Sequence, residues 1–172
     1  MLRKNKPFFI MIILVVVILI NSCTKPANQD QDDADILSLC PGKQITRIHA
    51  IQGVGHRSPY EGDQVSCVTG IVTAVTGHGF YFQDLVEDGD DRSSEALFVA
   101  YSSGNLIKRG DRVFIETATV QEHNPSINQS NSLTITWLIN SSKVQIVSSQ
   151  NPLPEPVVIG EAGRNIPNQI IE

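Results

Sequence analysis

The stretch Gly70-Ile-Val-Thr-Ala-Val-Thr-Gly-His-Gly-Phe-Tyr-Phe-Gln-Asp84 decides the reading of this chain. It joins a β-branched run to an aromatic run through Gly77-His78-Gly79. Side chains of a strand alternate between two faces, which predicts Val72, Ala74, Phe80 and Phe82 on one side of a hairpin and Thr73, Thr76 and Tyr81 on the other. Working outward, Val65–Val75 is the longest predicted strand. Gly70 at its middle marks a bend, which lets one strand serve both ends of a small sheet. Further strands are predicted over Gly79–Leu85, Leu97–Tyr101, Val113–Gln121, Leu133–Leu138 and Lys143–Ser148, with Val113–Gln121 launched by the turn Lys108-Arg109-Gly110-Asp111-Arg112. Upstream, Ile45–Gly53 predicts a short strand and Gly53–Asp63 a loop.

No stretch carries a helical apolar stripe, so the expected class is all-β. Five or six strands with a long, bent first strand suit a small closed barrel, which leaves no exposed sheet edge. An immunoglobulin-like sandwich fits less well, because Trp137 follows both Cys40 and Cys67 instead of standing between them. At 172 residues the chain has room for one domain of ordinary size plus tails.

Arg3, Lys4 and Lys6 precede the apolar run Pro7–Ile20, the pattern of a secretion signal over residues 1–22. That run is short for a membrane span, so a transmembrane anchor fits less well. Ile20-Asn21-Ser22-Cys23 resembles the bacterial lipobox, which implies that Cys23 is acylated and becomes the N-terminus. Two or three acyl chains hold a protein stably on a membrane, whereas one binds only marginally. Thr24 in place of Asp resembles lipoproteins sorted to the outer membrane of Gram-negative cells. The expected location is therefore the cell envelope. Residues 23–43 read as an acidic flexible tether in which nothing folds through Ser38, residues 44–159 as the barrel domain and residues 160–172 as a tail.

From Cys23 onward ten Lys and Arg face eighteen Asp and Glu, a net charge of −8. Non-specific nucleic-acid affinity comes from neutralising phosphates with basic residues, so this balance counts against a strong nucleic-acid binder. With Cys23 lipidated, Cys40 and Cys67 remain as a candidate disulfide in an oxidising compartment, two buried free thiols being the alternative.

Ile51-Gln52-Gly53, Ser58-Pro59-Tyr60-Glu61-Gly62, Val68–Val75, Gly79–Asp84, Asp88-Gly89-Asp90, Ser94–Val99, Gly110–Val113 and Leu153-Pro154-Glu155-Pro156 follow one another in an order and spacing that resemble a known domain. It is the OB-fold-like domain on the N-terminal side of secreted bacterial nucleases of the endonuclease/exonuclease/phosphatase superfamily. The resemblance covers about residues 45–160. It implies a small OB-like barrel, of the five to six strands read above, and a place beside a metal-dependent nuclease. The metal-binding carboxylates, histidine and asparagine of that catalytic domain do not fit in the thirteen residues after Ile159, so the expectation is a non-catalytic module or a piece of a larger nuclease.

An OB barrel binds single strands by stacking bases on aromatic side chains over a basic groove. Phe80, Tyr81, Phe82, Phe98, Tyr101 and Phe114 are the aromatic candidates; alternation assigns Phe80, Phe82 and Phe98 to the core and leaves Tyr81 outside. Arg57, Lys108, Arg109 and Arg112 are candidate phosphate partners, with Tyr60 and His78 completing the candidate ligand-binding set. Partners in view are a membrane, nucleic acid, a nuclease domain or another envelope protein. The four histidines are scattered, and neither a zinc-protease nor a nucleophile-elbow motif occurs, so no catalytic residue or cofactor is expected. Asp84, Asp88 and Asp90 are dense enough in hard oxygens for Ca²⁺ but lack the register of an EF-hand, which favours a solvated turn.

Overall fold

A computed structural model describes residues 29–102, 106–125 and 133–160; the signal, Cys23 and nearly all of the C-terminal tail lie outside the described residues. Two short helices, α1 (Gln29–Ser38) and α2 (Ile48–Gln52), precede six strands. These are β1 (Gln64–Thr76), β2 (Gly79–Gln83), β3 (Ala96–Ala100), β4 (Arg112–His123), β5 (Ile135–Ser142) and β6 (Gln145–Ser148). The sheet order is β1-β2-β3-β5-β4, and β4 pairs back onto β1. Five strands therefore close a barrel, all pairs antiparallel except β3 with β5. This is the OB-like arrangement, with β6 added beyond the barrel on the first residues of β4.

One long strand can serve both neighbours because Gly70 has no side chain. Residues Gln64 to Ile71 of β1 pair with β4, and Ile71 to Thr76 pair with β2. A Cβ at Gly70 would stand 2.7 Å from the Gln83 carbonyl oxygen and 2.9 Å from the Phe82 ring. The register slips between Val72 and Ala74, a bulge that inserts one residue into β1. Val72 keeps the predicted inward face. Ala74 does not: the extra residue turns it out to pair with Tyr81, where it is exposed.

Val72, Phe80, Phe82, Val99, Ile115 and Leu138 fill the interior, all 0 or 1% exposed. Ile48 and Ile51 join them from α2, which plugs one end of the barrel and is held to the start of β3 by Gln52 Nε2 donating to the Ala96 carbonyl at 2.7 Å. The predicted strand over Ile45–Gly53 is thus corrected to a helical turn over Ile48–Gln52. Isoleucines three apart lie on one face of a helix, and over so few residues that spacing reads as loosely as strand alternation.

The tether reading does not extend to α1. Residues 29–38 are helical, and Ile36 is fully buried with Cys40, Cys67 and Phe114 in a second small cluster on the outside of the barrel wall. Cys40 and Cys67 are joined as a disulfide, with Cα atoms 6.1 Å apart. Arg47 fastens the same region, pairing with Asp33 of α1 and with Asp84 after β2, the latter at 3.3 Å. Helix α1 therefore covers the outer face where β1 and β4 meet.

Candidate functional site

The opposite outer face, over β2, β3 and β5, has no such cover among the described residues. Strand alternation sends Tyr81 of β2 outward between the inward Phe80 and Phe82, and Phe98 of β3 outward between the inward Leu97 and Val99. Phe98 pairs in register with Trp137 of β5, and Gln121 of β4 stands opposite Trp137 on the other side. The result is a row of rings crossing four adjacent strands. Tyr81 and Phe98 centroids are 4.9 Å apart, Phe98 and Trp137 are 4.6 Å apart, and His123 stacks on Trp137 at 3.7 Å with planes 14° apart. With strands about 4.8 Å apart the row extends roughly 14 Å across the sheet.

Exposure differs along the row in a way that matters for contact. Tyr81 is 38% exposed and Ile135, two residues before Trp137, is 41% exposed, whereas Phe98 lies sandwiched at 4%. Phe98 is therefore a floor and Tyr81 and Trp137 its shoulders. The close approach that permits this comes from Gly79, where a Cβ would meet the Phe98 ring at 2.8 Å. Phe98 is buried as expected, packed between Tyr81 and Trp137 on the outer side of the sheet. Trp137 and His123 were not singled out as binding residues from the sequence: in Leu133–Leu138 alternation groups Trp137 with Leu133 and Ile135 on the apolar face, the pattern of a core position, and His123 stands alone at the end of a strand.

The other candidate residues do not gather. Arg57 and Tyr60 sit in the loop between α2 and β1, which is docked on the far part of β4 by Gly62 N–H donating to the Val120 carbonyl. Arg57 is closed on Glu61, its Nε 2.8 Å from Oε2, and that hydrogen-bonded carboxylate raises its pKa further. Beneath it, Glu122 accepts from Ser58 N–H and Thr136 Oγ1, each at 2.8 Å. Burial alone would push the Glu122 carboxyl up. The hydrogen bonds from Ser58 and Thr136, with the nearby Thr134 hydroxyl and Arg57 charge, outweigh it and leave the pKa lowered.

Lys108 and Arg109 are exposed in the turn before Arg112, the other end of β4 from His123. Arg112, expected as a phosphate partner, is corrected to a buried residue engaged within the fold, 7% exposed between Ile71 and Ser148. His78 is exposed at the β1–β2 tip, its carbonyl accepting from Tyr101 N–H at 3.1 Å. Of the remaining aromatic candidates, Phe80, Phe82 and Tyr101 pack inward and Phe114 lies under α1.

The acidic residues also separate. Asp84 is 3% exposed and turned toward α2, accepting from Ile48 N–H at 3.2 Å and Val86 N–H at 3.1 Å. It accepts from the first amide of α2 and pairs with Arg47, which corrects the solvated turn expected at Asp84. Asp88 accepts from Asp90 N–H and Ser93 Oγ, both at 2.8 Å, bonds that lower its pKa, while Asp90 holds Arg92. Among the described residues no three His, Cys, Asp or Glu side chains gather as a metal site. No helix of the described residues is long and apolar enough to cross a membrane.

Compared with protein-family models, curated proteins and solved structures, the chain matches none of them.

Proposed function

We propose that this chain is a non-catalytic binding module, lipid-anchored at the cell envelope through Cys23, that holds a ring-bearing polymer across the β2-β3-β5 face. The observation that carries the reading is the outward row Tyr81–Phe98–Trp137–His123. Tyr81 is the ring of the row most open to solvent, backed by Phe98 and Trp137, and the strand 2–3 face is where OB barrels take oligonucleotides and oligosaccharides. An accessory role beside a nuclease is compatible with that surface, since such a module would present substrate without reacting with it.

Trp137 is the sole tryptophan, so its emission reports this face directly. Three ligand classes should be titrated against the full chain in detergent: oligothymidylate, neutral oligosaccharide and an aromatic-rich peptide. At least one is expected to change the emission, and Tyr81→Ala is expected to remove the change. If no class alters the emission, or if Tyr81→Ala responds like the parent, the face is not a binding surface.

A further inference from the structure

We infer that the loop Leu106–Arg109 is a second membrane contact, which seats this end of the barrel on an anionic phospholipid surface. The inference rests on the lipid anchor at Cys23 proposed above. Leu106 is 74% exposed, the most of any large apolar side chain among the described residues. Lys108 and Arg109 follow it closely and are both exposed. An apolar side chain beside two cations suits a membrane interface, the first entering the boundary of headgroups and acyl chains and the second held by lipid phosphate.

The two cations are available for that contact. Arg47, Arg57, Arg92 and Lys143 are each closed on a carboxylate, and Arg112 is buried. Among the described residues, neither Lys108 nor Arg109 forms an ion pair. Asp111, next along the turn, is buried, and its Oδ2 accepts from the Lys108 amide N–H at 2.8 Å. The turn is also pinned to its neighbours. Gly110 N–H donates to the Val72 carbonyl at 2.8 Å, and the Gly110 carbonyl accepts from Asn151 N–H and Asn151 Nδ2, each at 2.9 Å. A turn fixed in this way has little backbone freedom left to lose on contact.

The anchor enters near the same end. Ile36 of α1 packs with Phe114, the third residue of β4, and the loop runs into the first, Arg112. From Phe114 back to Arg109 is at most about 18 Å of chain, and the tether from Cys23 to α1 spans up to about 21 Å. These lengths let the acyl chains and the loop meet one bilayer plane. Charge then selects the side that faces it. The chain from Cys23 carries −8, so an anionic leaflet repels most of the surface and accepts the side where two cations stand together. A nucleic acid could use the same cations, but it offers Leu106 no apolar phase to enter.

The test reconstitutes the acylated full chain carrying Leu106→Trp into phosphatidylcholine vesicles, with and without phosphatidylglycerol, and reads quenching of tryptophan emission by brominated acyl chains. The chain without that substitution supplies the Trp137 background. Vesicle flotation, read in parallel, reports attachment by any means. Flotation with both vesicle types is expected, with stronger quenching on phosphatidylglycerol that high salt removes. Lys108→Gln and Arg109→Gln should each lower the ratio of loop-bound to loop-free protein about fivefold, with flotation unchanged. Equal quenching on the two vesicle types would overturn the inference and leave the anchor standing. Flotation on phosphatidylglycerol alone would keep the loop contact and remove the anchor, and no flotation on either would remove both. If oligothymidylate shifts the Leu106→Trp emission in detergent and vesicles do not, the loop holds nucleic acid and the lipid inference falls.

Discussion

Gly79 is the residue on which the outer face depends. A Cβ there would lie 1.9 Å from the Val99 carbonyl oxygen as well as against Phe98, so any side chain must push β3 away from β2. Gly79→Ala should destabilise the domain by about 2–3 kcal/mol through overpacking, measured as the shift in a urea unfolding curve. Glu122 sets a second residue-level expectation. Its pKa is lowered in the fold, so its contribution is present above the unfolded-chain value of about 4.3 and is lost as pH falls through the folded value. Glu122→Gln should be less stable at neutral pH, where Ser58 N–H and Thr136 lose a charged acceptor. It should also show a flatter stability profile below about pH 4.5, as read from thermal melts across that range. Neither residue announces itself in sequence: the Gly79 constraint comes from a strand met seventeen or more positions later, and the Glu122 partners lie on two other segments.

Among the elements, the strands and the helices were legible to different degrees. The hairpin around His78 and the strand facing of Val72, Phe80, Tyr81 and Phe82 follow from local alternation, and the structure bears them out. Ala74 fails because a bulge adds a residue that alternation cannot foresee. Helix α1 was invisible because, among the described side chains of QDQDDADILS, Ile36 alone is buried; the partners of that side chain, Cys67 and Phe114, are far along the chain. The link that makes the helix part of the domain is covalent. Closing a loop over a sequence separation of 27 residues removes denatured-state entropy, so Cys40→Ala with Cys67→Ala should cost about 3 kcal/mol. Denaturant melts of the oxidised parent and the double variant would show it, and equal midpoints would mean that α1 holds without the bond. The aromatic row was legible in part. Tyr81 stood out as the odd face of a hairpin, but Phe98 sits in a strand apolar on both sides, and alternation along Leu133–Leu138 groups Trp137 with Leu133 and Ile135 as if for the core.

For the whole molecule, the two outer faces of the barrel differ in what covers them. One carries α1, which begins six residues after Cys23, a reach of at most about 21 Å even when fully extended. The other carries the rings. If Cys23 is acylated, Cys23→Ser should move the protein from the membrane pellet to the soluble fraction on cell fractionation, with the barrel still folded by circular dichroism. A variant that stays in the pellet would rule out the lipid anchor as what holds it there.

The barrel is also unevenly closed. Strands β1 and β4 are in register from Gln64–Thr119 to Ile71–Arg112, whereas β3 and β5 meet at two residue pairs, Phe98 with Trp137 and Val99 with Leu138. A short seam of this kind is where a closed sheet opens first, through local fluctuations that need less free energy than global unfolding. The amides of Val99 and Leu138 should therefore exchange with deuterated solvent faster than those of Val68 and Ile115, as read by mass spectrometry of exchanged peptides, and equal protection would contradict this. The Phe98–Trp137 stack lies directly over that seam. Anything that settles on those two rings also stitches the seam shut, so occupancy of the face and breathing of the barrel become a single linked equilibrium, in which a bound ligand lends the fold rigidity it otherwise lacks at its narrowest join.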